Sequence, residues 1–349
     1  MTIQYKCPDC GSDLVFDAVS GKLKCQNCGH EEVVTQGGEM QISDDHPHQA
    51  VGDESGEIFE YTCQSCGAKI MVNKNTAATQ CAYCGAPVVI NDRVSGVVRP
   101  DCVIPFKYEK RDADMEFQKW TKKLFFAPSD FKNMVKVKSV EGLYAPFWIY
   151  DVKGQGSALA ECTKSRSYRE GDYQVTETRH YDAYRQIDTN FEKVPADASK
   201  RLDDHMMDVM EPFHFEELQN FAPAFLSGYS AEKYDYTDQE MFPRVQKRVS
   251  GYMDDFVVKS IIGYDSVSIK NRDYYINRLD TKYCLFPLWI NYVVYNGKDY
   301  SFAMNAQTGK IAGKPPISKG KVVGCIFTVG IIAWVLIRLL VMLGGGTFI

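Results

Sequence analysis

Residues 5–34 read YKCPDCGSDLVFDAVSGKLKCQNCGHEEVV, and residues 61–90 read YTCQSCGAKIMVNKNTAATQCAYCGAPVVI. Each stretch holds two Cys-x-x-Cys pairs: Cys7/Cys10 with Cys25/Cys28, and Cys63/Cys66 with Cys81/Cys84. In both, 14 residues lie between the pairs, the second stretch repeats the first at an offset of 56, and every pair ends Cys-Gly. Two thiolates on one tight turn reach the same ion, and a glycine after the second cysteine tolerates the positive φ such a turn often needs. Short alternating runs, Asp13-Leu14-Val15-Phe16 and Lys69-Ile70-Met71-Val72, supply strands for facing hairpins. Two such turns close four sulfurs around a metal ion at about 2.3 Å.

Residues 1–34 and 59–92 are therefore read as two zinc ribbons, each holding one Zn2+ with four cysteines. Iron is the alternative occupant, because four thiolates also suit a rubredoxin-like centre. Four protein ligands leave no open coordination position, so the sites are expected to be structural rather than hydrolytic. Each ribbon is too small for an adequate core, and the metal should supply much of its folding energy. The rival, a thioredoxin-like redox pair, needs one reactive motif in a βαβ setting rather than four at matched spacing. Residues 35–58 form an acidic Gly/Asp/Glu linker; its His46 and His48 have no further ligands spaced around them and are read as solvated.

At the other end, residues 322–343 read VVGCIFTVGIIAWVLIRLLVML, 22 residues with the single charge Arg338. At 1.5 Å per residue this run reaches about 33 Å, enough to cross a hydrocarbon core of about 30 Å. A buried core helix is the competing reading, but core helices of this length rarely lack a polar face. Lys310, Lys314, Lys319 and Lys321 precede the run, a positive flank that favours keeping the N-terminal side in the cytoplasm. Met1 to Cys10 shows no basic and then apolar leader, so the body is expected to stay there, anchored in the cell membrane by a single pass. Arg338 is read as snorkelling to the interface in preference to pairing with an intramembrane acid. Residues 344–349 are a short tail.

Residues 93–321 are read as a cytosolic α+β domain, so the whole chain is multidomain. Arg111 to Ala127 carries apolar residues at helical spacing and stops before Pro128. Extended runs are expected at Met134–Val140, Gly142–Glu161 and Tyr173–Lys193, and a helical section over Ser199–Asn220 broken by Pro212. A helix over Asp238–Ile262, kinked or begun again near Pro243, is followed by strands at Asp265–Leu279, Cys284–Tyr295 and Asp299–Asn305. A fainter repeat aligns Tyr144-Ala145-Pro146-Phe147-Trp148-Ile149-Tyr150 with Leu285-Phe286-Pro287-Leu288-Trp289-Ile290-Asn291 at an offset of 141. This implies two helix-then-antiparallel-meander units, with the Pro-x-Trp-Ile segments as core strands and the proline at a strand start. An aromatic ligand groove is the lesser alternative. Of the 12 cysteines, Cys102, Cys162, Cys284 and Cys325 fall outside the ribbons and are read as small buried residues, since paired cysteines in a reducing compartment are more often metal ligands than disulfides.

Catalytic patterns are missing. There is no His-Glu-x-x-His, phosphate loop or nucleophile elbow, and His180, His205 and His214 lie apart, so an enzyme is not expected. The formal charge is −5, but Met1 to Ser95 holds 13 acidic and 6 basic residues, a balance of −7 that leaves +2 for the rest. Each zinc with four thiolates adds about −2, bringing the ribbon half to about −11. Such a surface repels phosphate, so a protein-binding adaptor is preferred to a membrane-tethered nucleic-acid binder.

The opening MTIQYKCPDCGSDLVFD, the second ribbon, the motif APFWIYD and the terminal apolar run together resemble the bacterial TFIIB-type zinc-ribbon membrane proteins of Bacillus and relatives. The resemblance covers essentially the full length. It implies a role in cell-envelope stress, with membrane proteins and phage shock protein A as partners, and it brings no catalytic residues. The eight ribbon cysteines are the only functional positions it carries over.

Overall fold

The computed structural model describes residues 2–34, 58–95, 99–137 and 140–343; His46, His48 and the tail lie outside them. The chain divides into two compact units. The first comprises Met1–Pro105, Leu143–Asp204 and His214–Pro287; the second comprises Phe106–Gly142, His205–Phe213 and Leu288–Ile349.

The first ribbon contributes β1 (Thr2–Ile3), β2 (Leu14–Asp17), β3 (Lys22–Cys25) and β4 (Glu31–Val33). The second contributes β5 (Ile58–Thr62), β6 (Lys69–Asn73), β7 (Thr76–Gln80) and β8 (Pro87–Ile90). After them come β9 (Cys102–Val103), α1 (Lys110–Lys123), α2 (Ser129–Val137) and a long hairpin of β10 (Glu141–Glu170) with β11 (Tyr173–Asp197). Then follow α3 (Asp204–Met210), β12 (Gln219–Asn220), β13 (Ser230–Glu232) and α4 (Asp238–Ser260). The chain closes with β14 (Ser266–Tyr295), β15 (Lys298–Asn305), β16 (Ile311–Gly313) and α5 (Lys319–Leu343).

In the first unit the ribbons are part of the body. β1 pairs antiparallel with β8 (Thr2 opposite Ile90), β8 with β7, and β7 with β13 (Ala78 opposite Ala231). β13 then runs parallel to the start of β10, Ser230 beside Leu143. Ribbon 1 keeps its own sheet, β2-β3-β4, and leans on the segment after β12. There Ser227 Oγ donates to the Leu14 carbonyl, the Phe16 N–H donates to the Ser227 carbonyl, and the Phe16 ring meets Phe225 at 5.2 Å. Helix α4 lies along the long hairpin. Its Met241, Val245, Val249 and Met253, spaced four apart on one stripe, bury against Tyr150, Val152, Val194 and Ala196. A reciprocal capping box between Thr237 and Glu240 starts it, and it runs unbroken through Pro243.

In the second unit α1 and α2 cover the end of β14 and β15: Trp120 and Phe131 meet Phe302 at 5.2 and 5.8 Å. Of the extended run expected at Met134–Val140, the part Met134–Val137 is instead the end of α2, and residues 138–139 lie outside the described ones. Pro128 ends the preceding loop, and Phe131 and Val135, one helical turn apart, are both buried, so a helix satisfies the pattern better than a strand. The helical section expected over Ser199–Asn220 shrinks to α3 and a single turn at Phe215–Glu217, with the break at Pro212. The two strands expected over Asp265–Tyr295 are one continuous strand.

Both Pro-x-Trp-Ile segments lie inside strands rather than at their starts. The ladder to β11 begins at Phe147 and the ladder to β15 begins at Leu288, each one residue past the proline that has no N–H to donate. In the first unit Trp148 Nε1 donates to the Tyr236 carbonyl at 2.8 Å, and the Ala198 carbonyl accepts from the Asp235 and Tyr236 N–H groups. In the second, Trp289 Nε1 donates to the Tyr108 carbonyl at 3.0 Å, and the Ala306 carbonyl accepts from the Lys107 and Tyr108 N–H groups.

Cys102 and Cys284, read as isolated, are bonded to each other. Parallel pairing of β9 with β14 sets them side by side, Cα atoms 4.6 Å apart, across a sequence separation of 182 that hid the pairing. Cys162 is buried, as read. Helix α5 is the one helix among the described residues long and apolar enough to cross a membrane, and its apolar stretch is 0% buried, unlike a core helix. Arg338 lies over the Trp334 ring at 5.3 Å.

Candidate metal centres

The four Cys-x-x-Cys-Gly turns share one local build. In each, the glycine N–H donates to the carbonyl of the first cysteine: Gly11 to Cys7 at 2.9 Å, Gly29 to Cys25 at 3.0 Å, and Gly67 to Cys63 and Gly85 to Cys81 at 2.8 Å. Those glycines have φ between 73° and 79°, the left-handed region that a Cβ disfavours. The turn brings its two sulfurs to one point, with the first cysteine on the buried side of that point and the second on the solvent side. Cys7, Cys25, Cys63 and Cys81 are buried, while Cys10, Cys28, Cys66 and Cys84 are exposed.

Facing hairpins bring the turns together in pairs. Cys7 Sγ lies 3.5 Å from Cys28 Sγ and Cys10 Sγ 3.5 Å from Cys25 Sγ; in the second ribbon Cys63–Cys84 and Cys66–Cys81 are 3.7 and 3.8 Å. Within each ribbon all four sulfurs lie within 4.8 Å of one another. A tetrahedron with metal–sulfur bonds of about 2.3 Å has edges of about 3.8 Å, so both donor sets fit a tetrathiolate ion without rearrangement. Zinc is consistent with this spacing and donor set.

The thiols are unevenly poised. The Ser12 hydroxyl and backbone N–H hold Cys10 down to about 6. The His30 N–H favours the Cys28 thiolate, but proton sharing with Cys7 and Cys10 outweighs it and pushes Cys28 up to about 12. Cys84 is likewise raised to about 12: the Ala86 N–H favours its thiolate, but burial and the neighbouring sulfurs outweigh it. Cys81 falls to about 7 because backbone N–H groups of Cys84 and Tyr83 overcome its burial. Four thiols packed this closely cannot all ionise without a cation between them, and a divalent ion releases the constraint.

Spacing did not reveal how the two centres are stitched together. Gln4 Nε2 donates to Cys63 Sγ at 3.7 Å and to the Pro87 carbonyl at 3.1 Å, so a residue of ribbon 1, ahead of its first knuckle, supports the four-cysteine cluster of ribbon 2. Gln64 Nε2 donates to the Thr2 carbonyl, and Lys6 Nζ bridges Asp13 and Ser65. No pattern in a single sequence couples position 4 to position 63. Cys7, Asp9 and His30 also converge, but His30 Nδ1 is bonded to Asp9 Oδ2 at 2.8 Å beside the first centre, so they add no separate site. His180 and His214 each sit by a glutamate, Glu161 and Glu216, away from the ribbons.

No family model matches the chain, and no solved structure matches it. It is similar to an uncharacterized protein, YdjG of Bacillus subtilis strain 168, with 39% identity over 348 residues covering 100% of both chains. Identity at that level over the whole length, ribbons, body and terminal helix together, places this chain in the family of YdjG.

Proposed function

We propose that the protein is a membrane-anchored zinc-ribbon adaptor, displayed on the cytoplasmic face of the cell membrane, that binds other proteins and catalyses nothing. The observation that carries this is the fusion of two four-cysteine centres to a folded body that ends in an exposed apolar helix. Closed centres offer no open coordination position, which favours binding over hydrolysis. The outward knuckles present solvent-facing side chains, among them Tyr83 at 75% exposure, a residue type that anchors protein interfaces. The acidic balance of the ribbon half opposes phosphate and speaks against nucleic acid.

The finer reading is a TFIIB-type ribbon protein that recruits phage shock protein A and membrane partners under envelope stress. It rests on the resemblance alone. We also read the body as two copies of a helix-then-meander unit, supported by the matching tryptophan-to-carbonyl bonds of Trp148 and Trp289 ahead of α4 and α1.

The test is affinity purification from detergent-solubilised membranes, with metal content measured on the same samples. Wild type is compared with Cys63→Ser/Cys66→Ser and with Tyr83→Ser. The adaptor reading expects specific membrane proteins with wild type, their loss with both variants, and full metal content only in wild type and Tyr83→Ser. Co-purification of nucleic acid that leaves as salt rises would overturn it. Two equivalents of zinc rather than iron settle the ion.

A further inference from the structure

The turn that leaves α1 places two phenylalanines next to each other in solvent. Phe125 and Phe126 are 67% and 42% exposed, with rings packed edge to face at 5.2 Å. The turn itself is held: the Ala127 N–H donates to the Leu124 carbonyl, and the next residues inward, Ala127 and Phe131, are buried. Two large exposed apolar side chains on a pinned loop are costly in water and mark a contact surface.

The same loop is bonded to the start of α5. The Ser318 N–H donates to the Phe126 carbonyl at 2.8 Å, and Lys321 Nζ donates to the Ala127 carbonyl at 2.7 Å. Ile317, immediately before, is 70% exposed. The apolar tip therefore sits level with the first turn of the candidate span, all within one unit. Around it are exposed lysines: Lys122 and Lys123 on the last turn of α1 and Lys319 on the first turn of α5. An apolar wedge with a cationic rim is the chemistry of an interfacial anchor on an anionic bilayer. The aromatic rings enter the headgroup layer while the ammonium groups meet lipid phosphates.

We infer that Phe125, Phe126 and Ile317, rimmed by these lysines, form a foot that inserts into the headgroup layer of an anionic membrane beside the anchor helix. The inference rests on the anchor reading above. The foot complements α5 by docking the second unit on the leaflet, and the positive rim reinforces the orientation that the lysine flank sets.

The experiment uses the full chain in nanodiscs of phosphatidylcholine and phosphatidylglycerol, with or without lipids brominated near the glycerol end of the acyl chains, to reach the foot, or near their methyl end, to reach Trp334 in mid-span. Emission of wild type, Trp334→Phe, and Phe125→Trp in the Trp334→Phe background is compared; Phe126→Trp serves as a second probe. The foot predicts that the emission added by Phe125→Trp falls at least two-fold with brominated lipid, and that Lys122→Gln/Lys123→Gln weakens the quenching. Strong quenching of Trp334 with none of the introduced tryptophan, while iodide in the buffer quenches the latter, overturns the foot and leaves the anchor standing. No quenching of Trp334 sinks both readings.

Discussion

The two ribbons share cysteine spacing, glycine position and knuckle hydrogen bonds, yet they enter the body differently. Apart from β1, which joins the large sheet at β8, ribbon 1 holds its own three-stranded sheet and touches the body through Leu14, Phe16 and the Phe225–Tyr229 segment. Ribbon 2 splits. Its first hairpin, β5-β6, is a sheet of its own packed on β8, whereas its second, β7-β8, is continuous with the body through β13 on one side and accepts β1 on the other. One four-cysteine cluster is thus docked on the body, and the other is built into it. The difference lies in the outward edges of the hairpins, which the cysteine code leaves open.

The strongest way to break this comparison is to remove the metals one at a time. Structural zinc in small peptides supplies about 10–16 kcal/mol of apparent folding energy, comparable with the whole stability of a domain. Cys63→Ser/Cys81→Ser should therefore strip hydrogen-exchange protection from Ala78 and Ala231, in the strands that join ribbon to body. Cys7→Ser/Cys25→Ser should leave both protected. Equal loss in the two variants would erase the distinction.

A smaller effect is expected at the docking contact of ribbon 1. Phe16→Ala deletes the ring that meets Phe225 and should cost about 3–5 kcal/mol, the usual range for a buried phenylalanine. Limited proteolysis should then release ribbon 1 with its metal while the protein still binds two equivalents before cleavage.

Gln4→Ala sharpens the comparison further. It removes a donor to Cys63 and to the Pro87 carbonyl, a loss of about 1–2 kcal/mol, and should speed chelator extraction from ribbon 2 roughly ten-fold with ribbon 1 unchanged. Release of both ions at the same faster rate would instead mean general loosening.

The least effect is a matter of pH. Asp17, in the β2-β3 turn, is held below the usual carboxylate range: its burial opposes this, but the Ser20 hydroxyl and N–H outweigh it. Its counterpart in ribbon 2, Asn73, does not titrate. A depressed folded value contributes stability above the unfolded pKa of about 3.9, lost as pH falls through the folded value. Asp17→Asn should thus lower the melting temperature slightly at neutral pH. The gap to wild type should close as the pH falls below about 4; a gap that persists there would assign the effect to shape rather than charge.

The four-cysteine clusters were legible in the sequence because their members are local. Cys-x-x-Cys-Gly defines one turn, and a matched 14-residue spacing defines the hairpin that faces it. Helix α4 was legible for a similar reason, since its buried stripe recurs every four residues. What failed was longer in range. The segment over Met134–Val140 looked extended because two of its valines alternate with lysines, and only packing of Phe131 and Val135 on one face showed a helix. Cys102 and Cys284 looked unrelated because the pairing of β9 with β14 is what joins them.

By itself, then, the sequence determined the two four-cysteine clusters, their knuckle chemistry, the apolar terminal helix and the mixed character of the body. Each is written in a window of about thirty residues or fewer, where covalent geometry and hydrophobic period suffice. Tertiary structure alone decided which ribbon is docked and which is built in, that Gln4 serves Cys63, and that Phe125 and Phe126 stand beside the first turn of α5. Those outcomes depend on edges and contacts between distant segments, and loop closure leaves no periodic trace of them in the chain.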